Sequence, residues 1–393
     1  MASIFDELIP RENTGCAKYD SRHSVFGTED ILPFWIADMD FKAPEPVIEA
    51  LRAKVNHGIF GYPVSPDHYF DSIVTWLYRR HGWKVEKEWI TFCPGVVPAL
   101  SMAVLAFSRA GDRVAVQPPV YFPFFRTIES QNRIRINNPL NLREGKYLMD
   151  LNDLEEKAGQ GLSMIFLCNP HNPGGRVWKR EELEKLAELC TRKKILVVSD
   201  EIHSDIIFSG QQHIPLASLG IEIASRTVTC MAPSKTFNLA GLSSSFVVIP
   251  DPDKRSQFDK LLHDYNIYHG NIFGLEAMKS AYEKGGRWLE ELIQYLQENL
   301  RLTEDFFEHN IPEVKVMKPE GTYLVWLDFR KLGMGGKELN DFLVREAGIG
   351  LSPGYLFGPG GEGFERLNIA CPRSRLAEGL SKLSEALRRI RLS

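Results

Sequence analysis

The chain has little that would tie it to an oxidising compartment, a metal, a membrane or nucleic acid. Its six cysteines among 393 residues, Cys16, Cys93, Cys168, Cys190, Cys230 and Cys371, are too scattered to form a dense disulfide framework, which points to reduced thiols and the cytoplasm. It contains no Cys-x-x-Cys pair and no His-Glu-x-x-His helix, so neither a structural zinc nor a zincin centre has support, and no metal site is expected. No apolar run approaches the ~18 residues that span a bilayer. The N-terminal stretch MASIFDELIPRENTG carries two acids before its first base, unlike a signal peptide. Positive charge is not in excess either: Lys plus Arg is 47 against 51 Asp plus Glu, a formal charge of −4. Without a basic field to hold phosphodiester backbones, no nucleic-acid partner is expected.

What is present is an ordinary globular composition, 44% hydrophobic and 25% charged, long enough for two or three domains. Between residues 89 and 250, short Val- and Ile-rich runs alternate with helical patterns, the signature of a mostly parallel sheet wrapped by helices in an α/β fold. Seven such runs, at 89–93, 113–117, 133–137, 163–168, 195–199, 227–231 and 244–249, predict a seven-stranded sheet. In the segment 179–193, Leu183, Leu186, Leu189 and Cys190 share one face, which predicts an amphipathic crossover helix. After Gly285 and Gly286 a long helix is expected, with Trp288, Leu289, Leu292, Leu296, Leu300 and Phe307 at three- and four-residue steps. Strands at 314–318, 322–329 and 366–370, with helices near 336–347 and 374–391, predict a second, smaller α+β unit. The division reads as an arm with part of the small domain at 1–45, a large domain at 46–285 and a small domain at 286–393. In the arm, Pro33, Pro44 and Pro46 are expected to break any helix.

Three elements carry chemistry. The apolar run ILVVS ends in Asp200, and TVTCM runs directly into Ala232-Pro233-Ser234-Lys235. Both place a charged group at the carboxyl end of a strand, the edge where open α/β sheets bind ligands. A third run leads into Asn169-Pro170-His171-Asn172-Pro173-Gly174-Gly175, which puts amide donors at the same edge. Taken singly, Lys235 reads as a solvated loop residue, Asp200 as a helix cap and the Asn-Pro loop as turn chemistry. Together, an amine, a carboxylate and an amide describe a pyridoxal phosphate site: a lysine that binds the cofactor covalently, a partner for its ring nitrogen and an anchor for a ring substituent. The turn Cys93-Pro94-Gly95-Val96-Val97-Pro98-Ala99 opens a helix whose free amides and dipole suit a phosphate.

With those residues in place, the chain resembles the class I and II aminotransferase group of fold-type I pyridoxal phosphate enzymes, and within it the cystathionine β-lyase, or C–S lyase, branch. The resemblance runs through nearly the whole length. It is carried by Trp35-Ile36-Ala37-Asp38-Met39-Asp40-Phe41, Gly61-Tyr62, Pro119-Val120-Tyr121 and Ser199-Asp200-Glu201-Ile202-His203. It continues in Ala232-Pro233-Ser234-Lys235-Thr236-Phe237-Asn238 and Arg366-Leu367-Asn368-Ile369-Ala370-Cys371-Pro372-Arg373-Ser374. It implies Lys235 as cofactor anchor and proton carrier, Asp200 beside the pyridinium nitrogen, Asn172 and His203 at the ring hydroxyl, and Tyr121 stacked on the ring. It implies that Gly95, Val96, Val97 and Ser234 hold the phosphate, with Tyr62 reaching in from a partner subunit of a homodimer. At the substrate it implies Arg366, gripping the carboxylate as a bidentate fork, with Asn172 and Ala37. Many relatives carry an arginine eight residues after the lysine; this chain has Ser243 there, so its phosphate loses a charged anchor.

The same resemblance implies α,β-elimination from L-cystathionine, cysteine or an S-substituted cysteine to a thiol, pyruvate and ammonia. An aminotransferase of an aromatic or neutral amino acid shares nearly all these residues and stays open as an alternative, as does a cofactor-binding regulatory protein. Residue types and spacing do not name the thiol.

Overall fold

The computed structural model describes residues 3–64 and 67–392, with side chains through residue 389. Met1 and Ala2 of the expected arm fall outside the described residues, as do the side chains of the last expected helix beyond 389.

All seven expected runs form one sheet, as strands Ile90–Cys93, Arg113–Val116, Ile134–Asn137, Leu162–Cys168, Leu196–Asp200, Thr227–Met231 and Ser245–Val248. Across the sheet, the strands beginning at 90, 245, 227, 196, 162, 113 and 134 follow in that order. Neighbours from 227 through 134 run parallel, and only Ser245–Val248 is antiparallel to both its partners. The central strands are buried on both faces, which is why they read as continuous apolar runs rather than alternating ones. The helix Arg180–Lys193 buries Leu183, Leu186, Leu189 and Cys190 against this sheet, and Lys194 closes it in the left-handed conformation at φ 58°.

The long helix spans Gly286–Asn310 and buries Leu289, Leu292, Leu296, Leu300 and Phe307, each worth roughly 1.5–3 kcal/mol of burial. Beyond it a four-stranded antiparallel sheet orders Lys315–Met317, Leu324–Asp328, Phe364–Asn368 and Ser352–Pro353. Its last strand is too short to show any sequence period. Helices Gly336–Arg345 and Arg373–Leu392 accompany this sheet.

The first 45 residues differ from the expectation of a helix-free arm. Ala17–Asp20 and Arg22–Phe26 are short helices, and Glu45–His57 is a full helix that begins between Pro44 and Pro46. Proline breaks a helix interior, but in the first turn its missing N–H has no intrahelical acceptor to lose, so Pro46 opens the helix instead. Downstream of the two short helices, Leu32–Pro33 pairs in parallel with Ile349–Gly350, tying the arm to the smaller sheet's side of the molecule.

Candidate active site

Three parallel neighbours bring the chemistry to one edge. Cys168 pairs with Asp200 and Asp200 with Cys230, so the turns that follow these strands emerge side by side. The first is the Asn-Pro loop, closed by Gly175 at φ 65°, where a Cβ would press on the backbone of Pro319. The second leaves Asp200, and the third is the one-turn helix Pro233–Thr236 that carries Lys235.

These turns line a cavity of about 570 Å³ together with Tyr121, Ala37 and the start of the helix Val96–Phe107. Of the residues singled out in the sequence, Lys235, Asp200, Asn172, His203, Tyr121, Gly95, Val96, Val97, Ser234, Arg366 and Ala37 all line it. Tyr62 does not; it stands 96% exposed on the chain's own surface. Ser243, in place of the usual arginine, lines the cavity beside Ser244.

Burial governs the ionisation of these groups. Asp200 is 3% exposed and receives one backbone hydrogen bond, from the Ile202 amide at 3.2 Å. Burial outweighs that bond and the attraction of Lys235, and pushes its carboxyl up to about 7. Burial likewise lowers the Lys235 amine to about 8, with Asp38 and Asp200 acting against it and Arg366 adding to it. Lys235 Nζ donates to the Ala37 carbonyl at 2.5 Å, an acceptor it shares with the Tyr323 hydroxyl at 2.9 Å. Burial, then the Lys235 and Arg366 charges, hold His203 well below the usual imidazole range, so its ring is neutral, and its Nδ1 has no partner.

Arg366 comes from the smaller sheet, on Phe364–Asn368. Its guanidinium donates to Asn172 Oδ1 at 3.0 Å, to the Trp35 carbonyl at 2.7 Å and to Ser352 Oγ at 3.0 Å, while Nε is buried without a partner. Every one of those acceptors is neutral, and among the described residues no carboxylate stands within ion-pair distance of it. A buried guanidinium in this state, lowered by burial to about 10, is a ready receptor for a substrate carboxylate. Asn172 spends its amide oxygen on Arg366, which leaves its NH₂ to face a ligand.

The residues fit pyridoxal phosphate. Asp200 offers a buried oxygen for a ring N–H, and Tyr121 offers an aromatic face. The amides of Val96 and Val97 at the helix start, with the hydroxyls of Ser234 and Ser243, are donors of the kind a phosphate needs. Sequence reasoning missed Ser352, Tyr323 and the Trp35 carbonyl. Ser352 lies fourteen residues before Arg366 and meets it only through strand pairing, so no spacing signals it.

The model of the family "Aminotransferase class I and II" matches residues 29–383. Cystathionine beta-lyase PatB of Bacillus subtilis (strain 168) is 47% identical over 384 residues, covering 98% of this chain and 99% of that protein. The crystal structure of cystalysin from Treponema denticola, which contains a pyridoxal 5′-phosphate cofactor, is similar at a TM-score of 0.96 and 38% identity, covering 99% of this chain and 100% of that one. The PLP-bound C–S lyase from Staphylococcus hominis follows at a TM-score of 0.92 and 31% identity, covering 98% of both chains.

Proposed function

The chain belongs to the class I and II aminotransferase family, and from that premise we propose that it is a pyridoxal phosphate-dependent C–S β-lyase. It takes L-cystathionine, cysteine or a related S-substituted L-cysteine and, with one water, releases a thiol (hydrogen sulfide from cysteine itself), pyruvate and ammonia. The observation that carries this reading is the cavity that joins a buried amine of lowered pKa, Lys235, with a buried guanidinium free of anionic partners, Arg366. Full-length similarity to a protein named cystathionine β-lyase supports the choice of elimination over amino transfer.

Pyridoxal phosphate, bound at Lys235, supplies the electron sink that makes a substrate's α proton acidic. The chain does the rest. Arg366 fixes the substrate carboxylate, with the Asn172 amide beside it and the Ala37 carbonyl close to the reacting nitrogen. Asp200 keeps a proton on the ring nitrogen: a carboxyl held up to about 7 when alone is charged readily once a cationic N–H stands against it. His203, neutral and buried, and the Asn172 NH₂ serve the ring hydroxyl. Lys235 Nζ, lowered to about 8, takes the α proton near neutral pH and holds it for return. Tyr121 packs on the ring, and Gly95, Val96, Val97 and Ser234 hold the phosphate, with Ser243 giving a hydroxyl where relatives place a charge.

Tyr62, exposed on its own chain, serves the phosphate of a second copy, which makes the working unit a homodimer with shared sites. The segregation of the two sheets supports a large domain at 46–285 and a small one at 286–393. Among the described residues no helix is long and apolar enough to cross a membrane, and the scattered thiols fit a place in the cytoplasm.

Incubating the protein with L-cystathionine and pyridoxal phosphate, with no keto acid added, tests the reading. Pyruvate and homocysteine should appear in equal amounts. Amine transfer that starts only when a keto acid is supplied would make the protein an aminotransferase instead.

A further inference from the structure

Lys235 stands on a helix of a single turn, Pro233–Thr236, too short to hold its own orientation. Behind that turn, on the side away from the cavity, lies a buried carboxylate. Thr236 Oγ1 donates to Asp205 Oδ2 at 2.8 Å, and both side chains are buried. The other oxygen of Asp205 meets Trp76 Nε1 at 3.0 Å and His81 Nε2 at 3.0 Å, and Arg80 donates to its backbone carbonyl at 2.8 Å. All three of those partners come from one helix, Asp67–His81. His81 in turn stands 5.1 Å from the ring of His213, which binds Glu201 at 2.8 Å, and Glu201 follows Asp200 directly in the chain.

The turn after Asp200 thus holds two further acids that do not line the cavity, and both oxygens of each are hydrogen-bonded. Burial works against the charge on Asp205, but the bonds from His81 and Thr236 hold it ionised, while burial keeps His81 neutral. None of these groups lines the cavity.

We propose that Asp205 is a positioning residue for Lys235, acting through the Thr236 hydroxyl to set the rotation of the turn that aims the amine. The proposal rests on Lys235 being the reactive lysine. A lysine side chain magnifies any rotation of its turn, and a misplacement of about 1 Å costs on the order of a hundredfold in rate. Substrate binding, anchored on Arg366 across the cavity, should not register the change.

Thr236→Val keeps the branched shape and removes the hydroxyl; Thr236→Ser keeps the hydroxyl. Per cofactor-loaded site, Thr236→Val should lower kcat by about ten- to a hundredfold with KM within about twofold, and Thr236→Ser should restore at least about half of kcat. The rate at which the cofactor-free protein captures added pyridoxal phosphate, read from its visible absorbance, should fall in Thr236→Val and recover in Thr236→Ser. If Thr236→Val does not fold, Thr236→Ala, which also removes the hydroxyl that reaches Asp205, carries the same expectation in both measurements. Wild-type kcat and capture rate in the Val variant, or a Ser variant as slow as the Val one, overturn the positioning role alone. A wild-type protein that captures no pyridoxal phosphate at Lys235 overturns the catalytic reading and this proposal with it.

Discussion

Asp40 and Asp200 are equally buried, 4% and 3% exposed, yet their surroundings drive them in opposite directions. Asp40 lies in the arm among Lys18, whose Nζ is 3.1 Å away and fully buried, Arg11 at 2.5 Å and the Tyr19 hydroxyl at 3.0 Å. Burial raises its carboxyl, but the two cations outweigh burial and hold it below the usual carboxylate range. Asp200 has one backbone donor and no ion pair within the described residues, so burial wins and the carboxyl rises to about 7. A buried charge with a full complement of partners is a structural rivet. A buried charge short of partners is poised for a ligand, and Lys235 and Arg366 are in the same condition.

That contrast can be broken from either side. The largest effect is expected at the buried amine in the cavity: Lys235→Ala should leave the fold intact and lower C–S cleavage by on the order of a thousandfold or more, measured at saturating cofactor. Retained activity would mean that another lysine does the work. In the arm, Asp40→Asn leaves the buried Lys18 and the half-buried Arg11 with less to pair with, and should cost about 3–5 kcal/mol in chemical denaturation. Since Asp40 is depressed when folded, its contribution is present above the unfolded value near 3.8 and is lost as pH falls, so the variant should also show a shallower acid limb.

Asp200 should behave in the reverse sense. Its folded value of about 7 exceeds the unfolded 3.8, so the folded cofactor-free chain holds the proton longer and loses stability as pH rises from about 4 through 7. The loss is at most about 4 kcal/mol. Asp200→Asn should flatten that decline in calorimetric scans of the cofactor-free protein, and a variant with the wild-type slope would show that another group is responsible.

The smallest effect is expected at Tyr62. Tyr62→Phe removes one hydrogen bond to a charged oxygen, about 1.5–3 kcal/mol, and should weaken cofactor affinity by roughly ten- to a hundredfold. Because the tyrosine would serve the opposite subunit, exchanging Tyr62→Phe chains with Lys235→Ala chains should restore one intact site per mixed dimer. Confirmed exchange with no recovered tight site would place Tyr62 in its own subunit's service.

Much of this was legible in the chain itself. Central strands buried on both faces announce themselves as unbroken Val and Ile runs, and a residue directly after such a run falls at the sheet edge; Asp200 and Lys235 were found that way. Arg366 was not accessible to that logic, since its strand belongs to the smaller antiparallel sheet and its partners Trp35, Asn172 and Ser352 come from three distant segments. The arm misled because Pro46 was read as a breaker when its first-turn position makes it a starter. The opposed states of Asp40 and Asp200 were hidden for a simpler reason: neither stands beside a basic residue in the sequence, and only the folded chain shows which one meets Lys18 and Arg11.

If the buried Lys235 amine is the one that binds the cofactor, borohydride reduction of the protein with bound pyridoxal phosphate, followed by peptide mapping, will locate the cofactor on it. One modified peptide is expected, carrying the cofactor on Lys235, and none in the Lys235→Ala variant. Trapping spread over surface lysines, or confined to a different one, would contradict it.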